Sequence, residues 1–166
     1  MKSVFKSYGQ DDVKNFAAAI KQEAGDNPVY FCVGSDKVLI DSLGPKVGTR
    51  VRDRSNGSVV VYGVEGDTIM ARNVQKAYRA VRYLHPSSKI IVIDAAIGPN
   101  IGEVKMVECV RPGSGVGKRL GTMGNRGILC TTGERLFYFC NDYEEINRRV
   151  NDAADFIANA ILLASA

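Results

Sequence analysis

Helix-period and strand-period segments alternate along this chain, and that alternation confines it to an α/β architecture. Val13, Phe16, Ala17, Ile20 and Ala24 recur at helical spacing, with Asp11 and Asp12 in the first turn and Gly25 as a stop. Residues 29–33 then form a short, continuous apolar run, the pattern of a strand buried on both faces. Gly44-Pro45 opens a second helix, where the missing N–H of Pro45 costs nothing. Val74, Ala77, Tyr78, Val81 and Leu84 mark a third helix, ending before Pro86. Further strands are predicted over 58–62, 89–93, 103–110 (near a sheet edge) and 127–131. Asn141-x-x-Glu144 is a capping box for a long last helix, with Tyr143, Ile146, Val150, Ala153, Ile157 and Ile161 facing inward. The expectation is a three-layer α/β/α sandwich around a mainly parallel sheet. Its 166 residues form one domain, 1–166, long enough to bury about two thirds of the unfolded surface.

Two aspartates stand out within that frame. Asp41 follows the run 29–33 in Gly34-Ser35-Asp36-Lys37-Val38-Leu39-Ile40-Asp41-Ser42-Leu43-Gly44-Pro45, and Asp94 follows Ile90-Ile91-Val92-Ile93 directly. In an open α/β sheet, functional groups gather at the carboxyl ends of the strands, where strand order reverses. Two carboxylates meeting there share a proton, because each charge raises the other's pKa. Such a pair supplies an acid and a base at neutral pH without a histidine, so hydrolysis is the first chemistry to consider. The competing reading makes Asp41 or Ser42 a helix cap, Asp36 a turn residue and Asp94 a loop cap.

A third segment, Arg111-Pro112-Gly113-Ser114-Gly115-Val116-Gly117-Lys118-Arg119, looks like a phosphate loop and is not one. A P-loop needs glycine where Pro112 stands and Ser or Thr where Arg119 stands; a dinucleotide fingerprint needs glycine where Lys118 stands. What remains is a cationic loop rich in backbone N–H groups, suited to a carboxylate or an oxyanion. Candidate substrate-binding residues are therefore Asp36 and Ser42 beside Asp41, together with Gly113, Ser114, Gly115, Gly117 and Lys118.

Other chemistries find little support. The single histidine, His85, sits at a helix end, and the four cysteines lack C-x-x-C spacing. No metal and no cofactor are expected. The net charge of +4 is mild, and the basic groups Arg50/Arg52/Arg54, Arg72/Lys76/Arg79 and Arg148/Arg149 read as solvated helix faces. No specific nucleic acid is expected as a partner. No apolar stretch follows Met1-Lys2, and the apolar segment 156–166 is too short to span a bilayer, which points to a cytoplasmic protein without a membrane partner.

Taken in order, Gly-x-Asp-x5-Ser-Leu-Gly-Pro, Ile-Asp-Ala and Arg-Pro-Gly-Ser-Gly-Val-Gly-Lys resemble the YyaC family of spore proteins. More distantly they resemble the germination protease of spore-forming bacteria and the hydrogenase maturation endopeptidases. The match runs from about Val29 to Lys118. The resemblance implies a phosphorylase/hydrolase-like fold, with the germination protease's catalytic aspartates carried over onto Asp41 and Asp94. The hydrogenase endopeptidases hold acidic metal ligands at these two places, joined by a later histidine, and no histidine follows Asp94 here. The chain is also far shorter than the germination protease. The implied function is a sporulation-associated, peptidase-like hydrolase acting on a protein or peptide such as a small spore protein, in the spore or forespore compartment. The alternative is a non-catalytic protein- or peptide-binding module that retains the fold. Self-association is left open.

Overall fold

The structure, a computed structural model, describes residues 3–113, 119–134 and 143–166. In chain order the elements are β1 (Val4–Phe5), α1 (Gln10–Ala24), β2 (Val29–Cys32), a 3-10 turn (Leu39–Asp41) and α2 (Leu43–Arg54). Then follow β3 (Val60–Tyr62), α3 (Val74–Leu84), β4 (Ile90–Ile97), β5 (Val104–Val107), β6 (Arg126–Gly133) and α4 (Tyr143–Ala164). The architecture is α/β: a six-stranded mixed sheet in the order β1-β5-β6-β4-β2-β3, with four helices. The pairs β2–β3, β2–β4 and β4–β6 are parallel, whereas β1–β5 and β5–β6 are antiparallel. β5 runs backwards because the connection from β4 is too short to hold a crossover helix.

The strands read as continuous apolar runs because alternate side chains enter two different cores. Tyr30 and Cys32 of β2 and Ile91 and Ile93 of β4 pack with Phe16, Ile20, Leu43, Val47, Ile157 and Ile161 from α1, α2 and α4. Val29, Phe31, Ile90 and Val92 pack instead with Val74 and Val81 of α3. Each fully buried Phe or Ile contributes about 1.5–3 kcal/mol of transfer free energy. The expected inward row of α4 is buried apart from Tyr143, which is 65% exposed at the helix start. Leu84 is likewise exposed, at the last turn of α3. Asn141 of the expected capping box lies outside the described residues. The two-residue edge strand β1 is held by Phe5, whose ring lies 4.9 Å from Phe16 and 5.9 Å from Phe156.

Candidate active site

The strand order creates a crevice. From β2 the chain moves through α2 to β3 on one side, and from β4 it moves to β5 and β6 on the other. Ligand sites of open α/β sheets form where neighbouring parallel strands diverge in this way. The last β2–β4 contact is the Val33 N–H donating to the Ile93 carbonyl at 2.8 Å, so beyond Ile93 the strand β4 pairs with β6 alone. Asp94 is the first residue past that point. It does not end the strand, as its position after an apolar run suggested; β4 continues to Ile97 because its ladder with β6 continues.

Asp41 reaches the same crevice by a different route. It closes the 3-10 turn eight residues beyond Val33, its N–H donating to the Val38 carbonyl and its own carbonyl accepting the Ser35 N–H at 2.9 Å. Gly34 has φ +150°, and a Cβ there would fall 2.2 Å from the Asp41 carbonyl oxygen. A Cβ on Gly44 would fall 2.1 Å from the Val33 carbonyl oxygen. The two glycines therefore let the end of β2, the turn and the start of α2 touch backbone to backbone. Across the crevice, the buried Thr132 hydroxyl of β6 donates to the Ile40 carbonyl at 2.5 Å and ties the turn to the sheet.

The crevice is a cavity of about 560 Å³, walled by Met70, Ile97, Val110 and Leu129 and holding three charged residues among the described ones: Asp41, Asp94 and Arg111. Asp94 is 8% exposed, and its Oδ1 accepts the Ala95 N–H at 2.9 Å. Burial, then the charge of Asp41, pushes the Asp94 carboxyl well above the usual carboxylate range, opposed by the Ala95 hydrogen bond. Burial raises Asp41 to about 6, opposed by a hydrogen bond from the Ser35 N–H. The two carboxyls thus titrate as a pair. Asp94, the more deeply buried of the two, holds its proton more readily than Asp41. With two raised carboxyls of unequal burial, the pocket can present one carboxylic acid beside one carboxylate.

Of the residues singled out in the sequence, Asp41, Asp94 and Gly113 line this pocket. Asp36 does not; its carboxylate turns outward and accepts the Gly66 N–H at 2.9 Å, fixing a loop. Ser42 does not line it either; its buried hydroxyl donates to the Leu39 carbonyl at 2.6 Å. No side-chain cap is made at the start of α2, so the capping reading of Asp41 and Ser42 finds no hydrogen bond to rest on. Ser114, Gly115, Gly117 and Lys118 lie outside the described residues. Sequence reasoning passed over Arg111, although it heads the glycine loop, and Thr132, whose only signal was its place at the carboxyl end of a strand. His85 has a structural role at the end of α3, its Nε2 lying 2.7 Å from the Tyr62 hydroxyl. Among the described residues, no group of three or more His, Cys, Asp or Glu side chains stands together as a metal site, and no helix is long and apolar enough to cross a membrane.

Comparison with known proteins returns a family described as "Protein of unknown function (DUF1256)", which matches residues 5–159. The uncharacterized protein YyaC of Bacillus subtilis (strain 168) is 29% identical over 143 residues, covering 82% of this chain and 69% of that protein.

Proposed function

This chain belongs to the DUF1256 family, and we propose that it is a peptidase-like hydrolase that cleaves a protein substrate with the Asp41–Asp94 pair. The observation that carries the reading is the pair itself. Two carboxyls share one pocket at the strand switch point; burial raises both, and the charge of Asp41 raises Asp94 further, which favours one acid beside one carboxylate. The resemblance to the germination protease, through the YyaC-like motifs, makes a small spore protein in a sporulating cell the natural substrate. Supporting a three-layer, phosphorylase/hydrolase-like kinship are the two cores on opposite sides of β2 and β4.

In this mechanism Asp41, as carboxylate, takes a proton from water, and the hydroxide oxygen forms a bond to the scissile carbonyl carbon. Asp94, as acid, gives its proton to the amide nitrogen as the C–N bond breaks, releasing an amine and a carboxylic acid. Asp41 then holds the proton taken from water while Asp94 has lost its own, and exchange through water restores the starting state. The developing oxyanion is met by Arg111 and the Gly113 backbone, with Lys118 assigned the same duty on sequence grounds.

The test is incubation with small spore proteins and with an unbiased peptide library from pH 5 to 8, read by mass spectrometry. Discrete cleavage by wild type, lost in both Asp41→Asn and Asp94→Asn, supports the assignment. Cleavage that survives both changes removes it. Saturable binding of the same peptides with no cleavage assigns the pocket to a peptide-binding module instead.

A further inference from the structure

We propose that the outer face of α3 is a docking track for an acidic polypeptide segment, leading it into the Asp41–Asp94 pocket; this deepens the peptidase-like reading, on which it rests, by naming its substrate class. Three groups of cations stand on helix faces, and the structure separates them. Arg50 and Arg54 of α2 pair with Asp155 at 2.8 and 2.6 Å, and Arg52 pairs with Asp53 at 2.9 Å. Arg148 and Arg149 of α4 pair with Asp152 and Glu145, both at 3.4 Å. Arg72, Lys76, Arg79 and Arg82 are exposed, and their side chains make no ion pair or hydrogen bond among the described residues.

The sequence explains this. No Asp or Glu occurs between Asp67 and Asp94, so α3 carries no anion of its own. Val74, Val81 and the partly buried Tyr78 face the sheet, and Lys76, Arg79 and Tyr83 then fall on the opposite side at i, i+3 and i+7. Arg72 extends the row toward the helix start, and Tyr83, 86% exposed, closes it.

The row begins at the pocket. Met70 and Ala71 line the cavity, and the Met70 carbonyl accepts the Val74 N–H at 2.8 Å, so the rim runs directly into α3. Arg72 is the next residue outward, and inside the cavity the charge of the same sign is Arg111. A single row of cations along one 11-residue helix suits one extended chain. It does not suit duplex nucleic acid, which presents two rows of phosphates. The row meets the pocket proposed as peptidase-like, which favours a polypeptide over a nucleic-acid strand.

The experiment uses the full chain as Asp94→Asn, so that binding is read whether or not wild type cleaves anything. Fluorescence anisotropy is measured with a labelled poly-glutamate 12-mer, a poly-glutamine 12-mer and a 12-base-pair DNA duplex. Poly-glutamate is expected to bind saturably at low salt and to weaken on adding salt. Lys76→Gln with Arg79→Gln should weaken it by roughly two- to thirtyfold, from two exposed pairs at about 0.2–1 kcal/mol each. Arg52→Gln, which removes a cation already paired with Asp53, should leave it unchanged. Circular dichroism checks that the exposed changes leave the fold intact. Absence of poly-glutamate binding, equal binding by the double variant, or tighter binding of the duplex overturns the track. Cleavage of neutral peptides by a wild type that ignores poly-glutamate would sink the track and leave the peptidase reading standing.

Discussion

Replacing Asp41 with asparagine should change the pH dependence of stability in a way that can be worked out beforehand. In the folded protein Asp41 releases its proton near 6, against an ordinary value of 3.8. Between those values the unfolded chain has lost a proton that the folded chain keeps, so unfolding releases it and rising pH favours unfolding. The stability lost corresponds to about 3 kcal/mol at about 1.4 kcal/mol per pH unit. Water reaches this half-buried carboxyl, and screening reduces the figure to about 1–2 kcal/mol. The amide introduced by Asp41→Asn does not titrate. The variant should therefore gain on wild type by about 1–2 kcal/mol between pH 3.5 and 6.5. It should gain further above that, because Asp94 no longer faces a neighbouring charge. Urea unfolding at pH 3.5, 5, 6.5 and 8 at fixed ionic strength measures this, and any fixed cost of the amide cancels when the pH values are compared. A wild type–variant difference that stays constant across the range refutes the reasoning.

Two further changes test the frame that holds the site. Gly44→Ala should cost about 3 kcal/mol or more, or prevent folding, because its Cβ falls 2.1 Å from the Val33 carbonyl oxygen. Gly57→Ala, with nothing within 4 Å of the added Cβ, should cost only positive-φ strain of about 1 kcal/mol, both variants being read by urea unfolding. Thr132→Val leaves the Ile40 carbonyl without its donor and should cost about 1–3 kcal/mol, most of it regained by Thr132→Ser.

The parts of this fold legible in the sequence are those whose cause is local. The spacing of Phe16, Ala17, Ile20 and Ala24, stopped by Gly25 at φ +69°, marks α1 because one helix face must be apolar. The run 29–33 marks β2 because both its faces are covered. What stayed hidden depends on partners distant in the chain. β4 passes through Asp94 because β6 keeps hydrogen bonding to it, although the apolar signal stops at Ile93. β1 is two residues long and exists through Phe5 and its pairing with β5, so no periodicity announces it. β5 lies one strand in from the edge for the same reason. In the site, Asp41 and Asp94 were visible as acids beside strands. Asp36, three residues past Val33, looked equally well placed, and only the Gly66 N–H shows where its carboxylate is engaged. Thr132 was invisible because its role is to hold a carbonyl 92 residues away.

The central claim is that Asp41 and Asp94 are one coupled pair, with Asp94 raised by burial and by the charge of Asp41. Carboxyl carbon-13 NMR titration of selectively labelled wild type and Asp41→Asn tests it most directly. Asp94 in wild type is expected to titrate well above the ordinary carboxylate value, and removing the Asp41 charge should move its midpoint down while burial keeps it raised. An Asp94 that titrates near 3.8 in wild type, or whose midpoint does not move in the variant, contradicts the pair.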